Sequence, residues 1–347
     1  MITRIQKLSY AVIACVLLCG CHVTSEENRA ATAPFFGFVL DGYPITAQKL
    51  TDLYAKTGVY GDFIVFYMQW PAPERTNEAE FPRDTLEHIR SVGATPCLTW
   101  EPMYMVKGRE VAVLASEICG GRYDDFIRAF ARKAADWGKP LLVRFAHEMN
   151  LQRYHWGTSE EKYGPESPAL YQAMFRHVVD VAREAGGSNL VWVFCSNAES
   201  VPNFAYDSNA TWNVAANYYP GEKYVDLMGV DGYNWGDSRK QELHGWTSRG
   251  QTFEEIFAGP CRDLKDIAPD KPVLVFETAT VGTADEKNSW LAKGLDASRG
   301  LGISGVAWFQ VSKENNWQLT GKIEEIVNSS ESGQGRAFRK WIWGRTR

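Results

Sequence analysis

Two apolar runs in this chain each end on a glutamate. Leu141-Leu142-Val143-Arg144-Phe145-Ala146 reads as a strand buried on both faces, then turns polar at His147, Glu148 and Asn150. Pro272-Val273-Leu274-Val275-Phe276 leads in the same way to Glu277 and Thr278. A carboxylate directly after a buried strand is costly unless it is paired or used. Arg144 is the partner at hand if Glu148 is only structural. Two such carboxylates meeting across one cleft are the equipment of glycoside hydrolysis. One stays protonated and donates to the leaving oxygen; the other is ionised and attacks the anomeric carbon. Their environments must hold their pKa values apart.

Other hydrolytic chemistries lack their patterns. His147-Glu148 begins a zinc-protease motif, but its second histidine would fall on Leu151. There is no Gly-x-Ser-x-Gly elbow for a serine hydrolase. Neither a metal nor an organic cofactor is implied, because two carboxylates suffice.

Stepping outward, the elements that would hold these residues alternate strand with helix. Strands are expected at Phe35–Leu40, Asp62–Tyr67, Ala94–Trp100, Leu141–Ala146, Asn189–Cys195, Tyr224–Val230, Pro272–Glu277 and Ile303–Phe309. Between them, Phe126, Ile127, Phe130, Ala131 and Ala134 form a stripe at helical spacing over Tyr123–Trp137. Leu170, Tyr171, Met174, Phe175, Val178 and Val179 repeat it over Ala169–Ala185. Helices are also expected near Ala47–Ala55, Thr85–Val92, Phe253–Ile267 and Lys287–Ala297, with a closing one at Gly335–Trp343. Eight strand–helix units predict an α/β fold, a (β/α)8 TIM barrel forming a single catalytic domain over residues 35–347. The runner-up, an open doubly wound sheet, lacks a Gly-rich phosphate loop after its first strand. In a parallel barrel all strand C-termini share one mouth. That gathers Trp100-Glu101, His147-Glu148, Ser196-Asn197, Asp231 with Tyr233, Glu277-Thr278, and Trp308 with Gln310.

The net charge of −5 and the lack of basic runs argue against nucleic acid as a partner. The 13 Trp, 15 Tyr and 17 Phe exceed what the core calls for and suit a polysaccharide or oligosaccharide substrate, since sugar faces stack on flat rings. Arg4 and Lys7 precede an apolar run, Leu8–Leu18, of signal-peptide length. Leu18-Cys19-Gly20-Cys21 resembles the bacterial lipoprotein cleavage box, with Cys21 the lipidated residue. Residues 1–20 are then a lipoprotein signal peptide and 21–34 a polar tether. The expected place is the bacterial cell envelope, at the outer membrane or cell surface, with contact to membrane through the lipid anchor only. A monomer is expected. Cys97 and Cys195 read as core; Cys119 and Cys261 could pair.

On the motif Arg144-Phe145-Ala146-His147-Glu148-Met149-Asn150, with Val275-Phe276-Glu277 later in the chain, the sequence resembles glycoside hydrolase family 26 from about Phe35 to Arg347. The resemblance implies Glu148 as acid/base, Glu277 as nucleophile and Tyr233 as the hydroxyl that holds the nucleophile. It implies Trp308 as an aromatic floor for the sugar at the cleaved bond, and His147 beside that sugar. Where such proteins carry Gly and then Trp after the acid/base, this chain has Leu151 and Arg153, and its aromatics come later, at Tyr154 and Trp156; Trp156 and, at the end of strand three, Trp100 are candidate sugar contacts. The implied activity is retaining, endo-acting hydrolysis of a β-1,4-mannan. A mixed-linkage β-glucan is the alternative substrate, and a non-catalytic carbohydrate-binding barrel the alternative function.

Overall fold

Eight parallel strands close into a ring in a computed structural model that describes residues 34–78, 80–154, 156, 162–328, 340, 342 and 344. In chain order the strands are β1 (Phe35–Val39), β2 (Phe63–Gln69), β3 (Thr95–Glu101), β4 (Met103–Val106), β5 (Arg109–Ala112), β6 (Leu141–Phe145), β7 (Leu190–Asn197), β8 (Leu227–Asn234), β9 (Val273–Thr280) and β10 (Ile303–Phe309). The barrel runs β1-β10-β9-β8-β7-β6-β3-β2 and closes through the β1–β2 pair. This is the expected (β/α)8 architecture. β4 and β5 form a separate antiparallel hairpin that the sequence analysis did not anticipate. Its turn, Lys107-Gly108, has φ of 49° and 76°, the twist a two-residue hairpin needs.

The helices pack their apolar stripes outside the ring. Asp124–Trp137 buries Phe126, Ile127, Phe130, Ala131, Ala134 and Trp137, and ends where Gly138 turns left-handed at φ 69°. Phe253–Ile267 and Ala284–Gly300 each start with a capping box, Thr252 with Glu255 and Thr283 with Glu286. Of the expected closing helix at Gly335–Trp343, only Lys340 and Ile342 fall among the described residues. The leader, the tether and Cys21 lie outside them.

Side chains fill the barrel floor, so it is no pore. The rings of Phe35 and Phe63 meet edge to face at 5.3 Å. A Cβ on Gly305 would stand 2.4 Å from Phe35, and one on Gly37 2.5 Å from Phe63. These two glycines make room for the rings that plug the bottom. Cys119 is exposed, Cys261 is buried, and both are free thiols, so the considered pairing is not formed.

Candidate active site

Above that floor, the barrel carries a buried charge bridge. Arg144, fully buried on β6, has a guanidinium that donates to Asp231 on β8 at 2.5 Å and to Glu277 on β9. Thr99 on β3 accepts from the same guanidinium at 3.0 and 2.8 Å. Arg144 thus serves Glu277 and Asp231 rather than Glu148. A buried cation linked to two carboxylates holds three strand ends in one geometry, and removal of any partner would strand a charge.

Glu277 receives two further donors. The Tyr67 hydroxyl donates to Oε1 at 2.5 Å, and the Tyr233 hydroxyl donates to Oε2. With Arg144 that makes three donors and no acceptor, a setting that a carboxylate completes. β2 and β8 lie diametrically opposite on the ring, so the two tyrosines grip Glu277 from both sides.

Glu148 follows β6 on a bent backbone. Ala146 and Glu148 have φ of 48° and 51°, a region that costs energy for residues with side chains. Neighbouring strands hold the bend: Ala146 N–H donates to Trp100 O at 3.1 Å and Glu148 N–H to Cys195 O at 2.8 Å. The Trp156 indole N–H donates to His147 O at 2.5 Å. Asn150 and Asn197 bond reciprocally at 2.9 and 2.8 Å, tying the loop to β7. The Glu148 side chain accepts from Asn197 at 2.7 Å. Burial, and then the Glu277 charge, push its pKa up to about 7; hydrogen bonds from Asn197 and Tyr154 and the Arg144 charge oppose this.

Glu148 and Glu277 line one cleft of about 540 Å³. Tyr233, Trp235, Phe309 and Trp317 form one wall, and their rings support each other: Trp317 lies 5.3 Å from Tyr233 and 4.9 Å from Trp235. The facing side carries Gln69, Glu101, Glu110, Arg153 and Tyr154. Arg153 makes a two-pronged ion pair with Glu110 of the hairpin, at 2.7 and 2.8 Å, and its guanidinium lies 5.2 Å from the Tyr154 ring centre.

Several expected sugar contacts are elsewhere. Trp100 is buried among Trp70, Phe126, Phe130 and Phe145, on the helix side of β3. Strand alternation sends its neighbour Glu101 into the barrel instead. Trp308 also faces the helices, against Trp290, and its indole N–H donates to Trp317 O at 2.9 Å. It therefore anchors the segment whose Trp317 backs the rings of Tyr233 and Trp235 at the cleft. Trp156 is buried and stacks on Tyr154 at 5.0 Å, so Tyr154 is the ring that reaches the cleft. His147 is buried behind the cleft, with its ring 4.7 Å from that of Tyr154. Burial and the charges of Arg144 and Arg153 hold its pKa well below the usual histidine value. A neutral imidazole thus packs under the site rather than lining it.

His147, Asp231 and Glu277 each bring a potential metal-ligand atom within 4.8 Å of the others. The Arg144 guanidinium already bridges the two carboxylates, so the protein itself supplies the positive charge there.

Sequence reasoning passed over Tyr67 and Trp317, and chose Trp156 over its neighbour Tyr154. Tyr67 had a usable signal, because it ends the apolar run of β2 as Glu148 and Glu277 end theirs. Trp317 had none, because it lies in a loop beyond β10.

A closed parallel barrel with paired carboxylates at its C-terminal mouth and an aromatic wall has the design of the barrel glycoside hydrolases as a class. A profile of glycosyl hydrolase family 26 matches residues 121–248. Endoglucanase H of Acetivibrio thermocellus is 27% identical over 275 residues, 78% of this chain and 27% of that protein. A mannan endo-1,4-beta-mannosidase of Bacillus subtilis is 27% identical over 130 residues, 37% of this chain and 30% of that protein. This chain therefore spans about a third or less of these relatives' lengths. Among solved structures, a Bacillus subtilis mannanase superposes with a TM-score of 0.61 at 16% identity, over 87% of each chain. A Bacteroides ovatus beta-mannanase does so with 0.57 at 16%, over 92% of this chain and 91% of its own. Residues 121–248 thus carry the glycosyl hydrolase family 26 pattern, and the barrel as a whole has the fold of these mannanase structures.

Proposed function

We propose that this protein hydrolyses a β-1,4-linked glycan of the mannan type, acting within the chain and retaining anomeric configuration. Glu148 is the acid/base and Glu277 the nucleophile. The observation that carries this is the opposite treatment of two carboxyls over one cleft. Glu277 is held by three donors, while Glu148 is pushed towards its protonated form.

In the first step a Glu277 carboxylate oxygen bonds to the anomeric carbon as the glycosidic C–O bond breaks, and the Glu148 proton passes to the departing oxygen. The glycosyl ester that forms has no charge on Glu277. The charge that most raises the Glu148 pKa is then gone, so Glu148 is left as an anion fit to act as base. In the second step Glu148 takes a proton from water, the water oxygen bonds to the anomeric carbon, and Glu277 leaves as carboxylate. Tyr67, Tyr233 and Arg144 keep the nucleophile aimed throughout.

A β-glucan, mixed-linkage included, is the second reading for the substrate. It is favoured by the endoglucanase relative, whose match extends over 78% of this chain against 37% for the mannosidase. Attachment to the bacterial envelope through a lipid on Cys21, with the barrel working as a monomer, completes the proposal; it rests on the leader pattern alone.

The test is product analysis on mannan, mixed-linkage glucan and xylan, with the anomer of the first product followed by NMR. Internal cleavage with retained configuration is expected. A first product of inverted configuration would overturn the assigned roles. Glycan binding without cleavage of any polymer would make the protein a binding barrel.

A further inference from the structure

Glu101 is a third carboxyl in the cleft, and the two-step reaction has no use for it. It ends β3, diametrically across the ring from β9 and its Glu277. Its exposure is 7%, yet it lines the cleft. Among the described residues no hydrogen bond reaches its carboxyl, although Glu277, Glu148 and Asp231 all have donors. Arg153, the nearest cationic side chain on that wall, has its two terminal nitrogens committed to Glu110. A buried polar group without a partner is costly, and it persists where something outside the folded chain completes it.

We propose that Glu101 is a specificity-determining residue: it hydrogen-bonds a hydroxyl of the sugar unit seated against the charged wall. The proposal rests on the glycan-hydrolase reading of the cleft and names what that reading leaves open, the group that selects among sugar epimers. The geometry suits the task. Trp235 and Tyr233, half-buried on the far wall with Trp317 buried behind them, offer ring surface that suits a sugar's apolar face whatever the direction of its hydroxyls. A hydrogen-bonding group opposite them is sensitive to that direction, because a misplaced or missing hydroxyl leaves the carboxyl desolvated and unpaired. Burial pushes the Glu101 pKa up to about 7, so near neutrality the group both donates and accepts. That lets it serve a hydroxyl as either partner. The Arg153–Glu110 pair fixes the hairpin beside it and bounds the subsite.

The test compares wild type with Glu101→Leu and Glu101→Gln on cleavable oligosaccharides and on their mono-deoxy analogues. Leucine fills the space and removes an unpaired buried carboxyl, so the variant is expected to fold. Wild type should discriminate against at least one deoxy analogue by about 10-fold or more in kcat/KM. Glu101→Leu should lose that discrimination, with the loss carried by KM more than by kcat. Glu101→Gln should restore part of it. A purely structural role would move neither KM nor the ranking of analogues. Wild-type KM and wild-type discrimination in Glu101→Leu would overturn the proposal, as would failure of both variants to fold. If wild type cleaves no β-glycan at all, the underlying reading fails as well; if it cleaves and only the Glu101 result is negative, that reading stands.

Discussion

The two walls of the cleft are built on different physics. On the β8–β10 side, Tyr233, Trp235, Phe309 and Trp317 interlock edge to face, with Phe309 at 90° to Tyr233 and Trp235 at 84° to Trp317. On the β3–β6 side, Glu101, Glu110, Arg153 and Tyr154 set charges and a hydroxyl around a space of similar reach. The aromatic wall costs nothing electrostatically and suits any flat sugar face. The charged wall is held against desolvation by one ion pair and leaves one carboxyl open. Affinity is therefore expected to come mainly from the first wall and selectivity from the second, with Glu148 and Glu277 between them.

That division can be broken in four places. The largest effect should come from neither wall: Glu277→Ala is expected to lower kcat by at least about 10⁴-fold while oligosaccharide binding, measured by calorimetry, survives. Comparable losses of binding and turnover would mean that Glu277 only shapes the cleft. Next comes the cost of the charged wall to the fold. The folded pKa of Glu101, about 7, lies above the ordinary glutamate value. Stability from this group is therefore fully present below that ordinary value and is lost as pH rises through about 7. Glu101→Leu should gain on wild type as pH goes from 4 to 8, by up to the order of 3 kcal/mol in urea unfolding. A gain that is flat with pH would show that the carboxyl is solvated in the folded state.

Third, Trp235→Ala should raise KM by roughly 10- to 100-fold, as expected for the loss of about 1–3 kcal/mol of ring stacking, and by similar factors for mannan- and glucan-derived oligosaccharides. A loss confined to one sugar would place selectivity on the aromatic wall. The smallest effect is expected at the exposed ion pair. Arg153→Ala should cost about 0–1 kcal/mol of stability. It also removes a charge that lowers the Glu101 pKa, so the loss of stability with rising pH should move to higher pH. No movement in pH-dependent melting would separate Arg153 from Glu101 functionally.

The barrel was legible because each strand announced itself as an apolar run between helix stripes, and Phe253–Ile267 and Ile303–Phe309 fall where the pattern placed them. Position at a strand end singled out Glu148 and Glu277, and the family resemblance added Tyr233. The same rule failed for Trp100 and Trp308. A strand end offers two faces, and these large rings took the helix-facing one while Glu101 and Phe309 took the barrel. The hairpin β4–β5 went unseen because Met103–Ala112 is too short and too charged to read as a strand pair.

The order of residue types along the chain thus determined the ring of strands and picked out Glu148 and Glu277 among its acidic tips, since burial periodicity and the cost of a charge after an apolar run are local properties. Only the folded structure decided which aromatic rings face the sugar path, that Arg144 joins Asp231 to Glu277, and that Arg153 closes on Glu110. Those pairings join residues 133, 87 and 43 positions apart, and the closure of the barrel is what brings them within hydrogen-bonding reach.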